Sequence, residues 1–259
     1  MRVRLQSEWR GFLRGCARLN PQTATVLILY GVFVLVHFRL GGRGFFLTHV
    51  APDASGLLSW VWWFAVQGVT GFLLPALVLC VVFRQRPAAV GLGLGDWRLA
   101  LIICALYIPL VIVGTWFLSD SAEFQASYPH LRDATLSWRV FVLYHGAFLM
   151  YWLGWEYLWR GFVLFGTAHT FGLHALFIQA VPFALLHVHK PLPELVLSMV
   201  GGLALGVLVW RCRSFWIAVP IHAVQMLVLD LWCTLRVRND IDGIGLEALG
   251  RLLRGTHGG

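Results

Sequence analysis

Trp155-Glu156-Tyr157-Leu158-Trp159-Arg160-Gly161 sets a carboxylate and a guanidinium inside one of the most hydrophobic parts of the chain. From His145 to Gly166 the only other ionisable side chains are tyrosines and His145 itself. Four residues at about 100° each put Glu156 and Arg160 on one helix face, a turn apart, where they can pair. At the centre of a membrane helix a charge costs roughly 2.5 to 3.5 kcal/mol on insertion scales, so such residues face a protein or water-filled interior. This stretch alone fits a structural ion pair between helices as well as a functional site.

The rest of the composition makes the membrane setting firm. Of 259 residues, 59% are hydrophobic and 12% charged, and the mean hydropathy is +0.74. Too few polar residues remain to cover a soluble globule, so the chain reads as an integral membrane protein. The formal charge of +8 does not point to nucleic acid, because the arginines stand at the ends of apolar runs rather than in one patch. They read as topology signals and lipid-headgroup contacts. Cys16, Cys80, Cys104, Cys212 and Cys233 form no CxxC pair and are odd in number, which implies neither a disulfide framework nor a zinc knuckle.

The expected fold is all-α, a polytopic helix bundle of about seven or eight transmembrane helices. Residues 1–22 carry Arg2, Arg4, Arg10, Arg14 and Arg18 and read as a basic cytoplasmic arm. The transmembrane domain occupies 23–235, with spans expected at Thr23–Phe38, Leu57–Phe83, Leu99–Leu118, Leu136–Phe165, Leu173–His187, Glu194–Trp210 and Phe215–Leu235. The fourth is long enough to be one tilted helix or two pieces broken near Gly154. Ser198, Gly202 and Gly206 make a small-residue stripe that invites close approach of a neighbour. The connector 84–98 holds three arginines against Asp96, and 119–135 holds Asp120, Glu123 and Asp133 against Arg132. Positive-inside bias then puts the first connector and the N-terminus in the cytoplasm and the second connector outside, and the expected location is the cell (inner) membrane, crossed several times. Residues 236–259 form a polar tail, expected to be loosely ordered.

Two histidines repeat the oddity of the opening stretch. Pro182-Phe183-Ala184-Leu185-Leu186-His187 ends the fifth span, and Pro220-Ile221-His222 opens the last. Asp230 follows His222 by two turns, within roughly 80° on a helical wheel. A lone buried histidine is more often a satisfied core residue than a catalyst, but Glu156, His187, His222 and Asp230 must each be desolvated and each needs a partner. Depth is a difficulty: His187 falls near the outer end of its expected span, whereas Glu156 and His222 sit deeper.

The order Glu-xxx-Arg, Phe-xxx-His and a final His resembles the CAAX prenyl endopeptidase and bacteriocin-processing family of intramembrane glutamic proteases, also called CPBP or Abi. The resemblance covers about residues 136–235, a protease-like core. Two positions depart from the family pattern: Trp155 stands where the first of two glutamates is usual, and Met226 where an Asn follows the last His. What the resemblance implies is an endopeptidase acting on a membrane-associated protein or peptide, with Glu156, His187, His222 and Arg160 catalytic and Phe183 supporting. On that reading Glu156 and His187 share the water and His222 donates to the oxyanion, which fits what peptide hydrolysis demands. From the residues alone, Asp230 is expected to orient His222 as a carboxylate orients an imidazole. No cofactor and no metal are expected; Glu156, His187, His189 and His222 are possible zinc ligands, but no HExxH spacing supports them. The expected partners are the lipid bilayer and a peptide or protein substrate. The alternatives are an inactive family member serving as a binding or immunity protein, and an ion- or proton-coupled transporter, against which the lack of a visible inverted repeat counts. A cysteine transpeptidase using Cys212 is a remoter one.

Overall fold

A computed structural model describes residues 2–255. Helix α1, Arg2–Cys16, lies outside the bundle. Helix α2, Pro21–Leu40, starts where the Asn20 side chain accepts from the Thr23 amide and Pro21 fills the first turn, whose N–H would be unpaired anyway. Helix α3, Gly56–Val82, and helix α4, Trp97–Leu118, are capped in the same way by Ser55 and Asp96. Helix α5 covers residues 138–171, α6 is Ala175–Leu185, α7 is Leu192–Cys212, α8 is Ala218–Asn239 and α9 is Leu246–Gly255. No strand occurs among the described residues, so the all-α expectation holds.

Among the described residues, six helical runs are long and apolar enough to cross a membrane. One is the 48-residue run Trp138–Leu185, which joins what the sequence divides into fourth and fifth spans. It reverses at Gly172, whose φ of +54° and ψ of −134° suit only a residue without Cβ. Helix α6 then folds back between α5 and α7. With 11 residues it extends only about 16 Å at about 1.5 Å per residue, half of the roughly 30 Å hydrocarbon layer. The expected fifth span is therefore a half-span, and His187 just beyond its end stops in mid-bundle beside Trp155. That geometry removes the mismatch in depth.

Gly154 does not break α5. A Cβ there would lie 2.1 Å from the Gln67 carbonyl oxygen, and one on Gly71 would lie 2.4 Å from the Gly154 oxygen, so the two glycines let α3 and α5 touch backbone to backbone. The irregular stretch comes later, as wide i→i+5 turns over Tyr157–Val163 directly after Glu156. The small-residue stripe acts as expected: a Cβ on Gly202 would press on the Phe183 ring at 2.8 Å, and one on Gly206 on the Gln179 amide at 2.5 Å.

The two ends of the bundle differ. One gathers the start of α2, the 83–96 connector, Gly166 and the α7–α8 turn, joined by Gln22 to the Gly166 carbonyl at 2.9 Å and by Arg211 to Asp96 at 3.3 Å. The other carries 41–55, 119–137 and the C-terminal region. There Arg236 is buried over the Trp116 ring, pairs with Asp120 at 3.1 Å and donates to the Ile241 and Gly243 carbonyls. The tail corrects the expectation of loose order, since Ala248 and Leu252 of α9 are buried against Trp116, Leu235 and Ile241. Residues 256–259 lie outside the described residues.

Candidate active site

Three elements deliver the ionisable groups to one level. Helix α5 brings Glu156 and Arg160, both fully buried, with Arg160 Nη1 at 3.2 Å from Oε1 and 3.1 Å from Oε2. Only the first contact has hydrogen-bond geometry, so Oε2 keeps an unpartnered lone pair. The Arg160 guanidinium carbon lies 4.1 Å over the Phe183 ring, a cation–π contact that ties α5 to α6. In the turn after α6, His187 Nδ1 donates to the Phe183 carbonyl at 2.8 Å, which leaves Nε2 as the acceptor. From α8, His222 Nδ1 donates to Glu156 Oε1 at 2.6 Å while its ring stacks on Trp152 at 4.3 Å.

Two cavities meet at these side chains. The first, about 380 Å³, opens between α4 and α7 and is walled mostly by apolar side chains and glycines; the second, about 310 Å³, is walled largely by aromatic rings. His187, Glu194, His222 and Met226 line both. Glu156 lines neither: it stands behind His222 and Arg160, while Trp155 occupies the wall of the second cavity. Asp230 is buried too, but its Oδ2 lies 3.3 Å from His145 Nε2, and the carboxylate on His222 is Glu156. The orienting role expected of Asp230 thus falls to Glu156, because a wheel drawn on α8 alone cannot show that α5 presents a nearer carboxylate. Among the described residues, no group of three His, Cys, Asp or Glu side chains is placed to hold a metal ion.

The family model of the type II CAAX prenyl endopeptidase Rce1-like proteins matches residues 136–228. This segment is similar to the Rce1-like family. It begins at the foot of α5 and includes Glu156, Arg160, His187, His222 and Met226. No curated protein and no solved structure matches the chain.

Within and beside the matched segment lie polar groups that do not stand out in the sequence. Gln225, a turn after Pro220-Ile221-His222, lines the first cavity and accepts the Tyr107 hydroxyl at 3.1 Å through Oε1, leaving its amide N–H groups free. Glu194 accepts from Tyr128 at 2.5 Å and lies 3.6 Å from Lys190, whose ammonium also donates to the Tyr128 hydroxyl and faces His130 Nε2 at 3.2 Å. Their signal was faint, since a charged residue at the end of a span, as Glu194 is, is ordinary and an uncharged amide within one, as Gln225 is, stands out little.

Burial and the adjacent Lys190 charge lower His130 to about 4. Its unfolded value is about 6.5, so between the two the unfolded chain binds more protons. The stability contributed by neutral His130 is present above about pH 6.5 and lost as pH falls towards its folded value. Melting temperature should therefore drop over that acid range in the wild type, and His130→Gln should flatten the slope; parallel slopes would count against the assignment.

Proposed function

We propose that the protein is an intramembrane endopeptidase in which the Glu156–His222 pair activates a water against a peptide carbonyl. The observation that carries this is the 2.6 Å contact of His222 Nδ1 with a fully buried carboxylate, in a ring that lines both cavities. With Nδ1–H committed to Glu156, Nε2 is the basic nitrogen, as in other carboxylate-held imidazoles. His222 takes a proton from water, the hydroxide adds to the carbonyl carbon, and the imidazolium returns the proton to the leaving amine. His187 accepts the water's other hydrogen and orients it. Arg160 balances the Glu156 charge, so the carboxylate holds the imidazolium as it forms. This assigns His222 the base role that the sequence reading gave to Glu156.

Met226 offers no donor where the family carries Asn. The free Gln225 amide in the same cavity is suited to the oxyanion instead. Gln225→Ala should lower kcat by about 10² to 10³ with KM little changed. An unaltered kcat would remove Gln225 from the mechanism.

One observation favours a second reading, a catalytically silent binding protein: Trp155 fills the cavity wall where the family carries its first glutamate. Comparing the termini of membrane proteins in cells with and without this chain separates the two. New termini that vanish with His222→Ala support the peptidase; an unchanged set supports the binder.

A further inference from the structure

Helix α1 carries an apolar face that nothing in the bundle covers. Leu5, Trp9, Phe12 and Leu13 are 47% to 61% exposed, and the Trp9 and Phe12 rings stack on each other at 5.5 Å. At about 100° per residue the four fall within an arc of roughly 100°, with Cys16 inside it. Arg4 and Arg10 flank that arc and Arg14 stands opposite, all three exposed. Among the described residues no carboxylate reaches salt-bridge distance of these arginines, and the Nε groups of Arg10 and Arg14 meet only helix carbonyls at 3.3 Å. A helix apolar on one side and cationic around the rest has the pattern of one lying in the plane of a membrane surface, its arginine stems reaching from the apolar layer to the phosphates.

The chain fixes where that surface lies. Turn hydrogen bonds fold Ala17, Arg18 and Leu19 back onto Leu13, Gly15 and Cys16, and α2, long and apolar enough to cross the membrane, starts at Pro21. Five residue steps of at most about 3.6 Å keep Cys16 within roughly 18 Å of that start, so α1 stays beside the bilayer. The same end of the bundle exposes Arg84, Arg86, Arg98 and Arg213, again with no carboxylate in reach among the described residues, beside exposed Leu94 and Trp97. Asp96 is there too, but Arg211 takes it at 3.3 Å. We propose that α1 is a surface anchor that binds the anionic lipid headgroups of the leaflet at this end, with Leu5, Trp9, Phe12 and Leu13 sunk among the acyl chains. A partner protein or a second copy would also cover an apolar face. The lipid surface is favoured because the tether holds α1 against it, and because arginines on both flanks of the arc, continued by those of the bundle end, match a uniformly anionic plane. Nothing in the proposal depends on the peptidase reading.

Cys16, exposed and on the apolar arc, reports on the face. The full chain is placed in nanodiscs of phosphatidylcholine alone or of phosphatidylcholine and phosphatidylglycerol in equal parts. Alkylation of Cys16 by an uncharged polyethylene-glycol maleimide, which does not enter the bilayer, is followed by the mass of the peptide that holds it. In the mixed discs the rate should be about tenfold or more below that in phosphatidylcholine, since each arginine near an anionic surface adds to the hold, and molar salt should remove most of the difference. Replacing Arg4, Arg10 and Arg14 together by Gln should bring the rates in the two discs together, and Leu5→Ser with Phe12→Ser should leave Cys16 reactive in both. Equal rates in the two discs for the wild type overturn the proposal, as does protection that survives the triple substitution. Protection that follows the number of chains per disc instead of lipid charge assigns the face to a second copy and overturns it too. The comparison of lipids on the unaltered chain needs no variant to fold.

Discussion

Arg160→Ala is expected to cost about 3 to 5 kcal/mol of folding stability, the usual range when one partner of a buried ion pair is removed. Arg160 is fully buried, and among the described residues its only carboxylate contact is with Glu156, which is fully buried too. Without it the carboxylate must either stay charged in a medium of low dielectric or take a proton and weaken its hold on His222. The loss also empties the space over Phe183, where the guanidinium sits at 4.1 Å. Arg160→Lys restores the charge but not the flat stacking, so its melting temperature should fall between the two. Arg160→Ala protein that purifies at wild-type yield and melts at the wild-type temperature would show that the pair is not a buried one.

What the sequence made legible was whatever stood out against an apolar background. Glu156, Arg160, His187 and His222 are visible because few ionisable residues interrupt those runs, and their order carried the family resemblance. The bundle was legible for the same reason, from run length and hydropathy. Contacts between helices were not. Asp230 looked like a partner for His222 on its own helix, yet His145 of α5 takes it at 3.3 Å. The length of α6 was hidden because Leu173–His187 is largely apolar, and only the backbone at Gly172 shows that the chain turns back there. Glu194 sits at the end of a span, where charge is commonplace, and Gln225 in mid-span carries no charge to mark it, so only the two cavities single them out. The role of Glu156 also depended on the fold: spacing placed it beside Arg160, but its standing behind His222 follows from the way α8 crosses α5.

The central claim is that a buried carboxylate makes His222 a base, and Glu156→Gln tests it most directly. The substituted amide keeps the shape and can still accept from His222 and Arg160, but it carries no charge to hold an imidazolium and no longer fixes the tautomer. Turnover of a peptide drawn from the termini comparison, measured for wild type, Glu156→Gln and His222→Ala, is predicted to fall by about 10² to 10⁴ in both variants. The melting temperature of Glu156→Gln should stay close to that of wild type, which separates lost chemistry from lost folding. Wild-type turnover in Glu156→Gln would contradict the account, and so would proteolysis that appears only when Trp155→Glu restores the family's first acid.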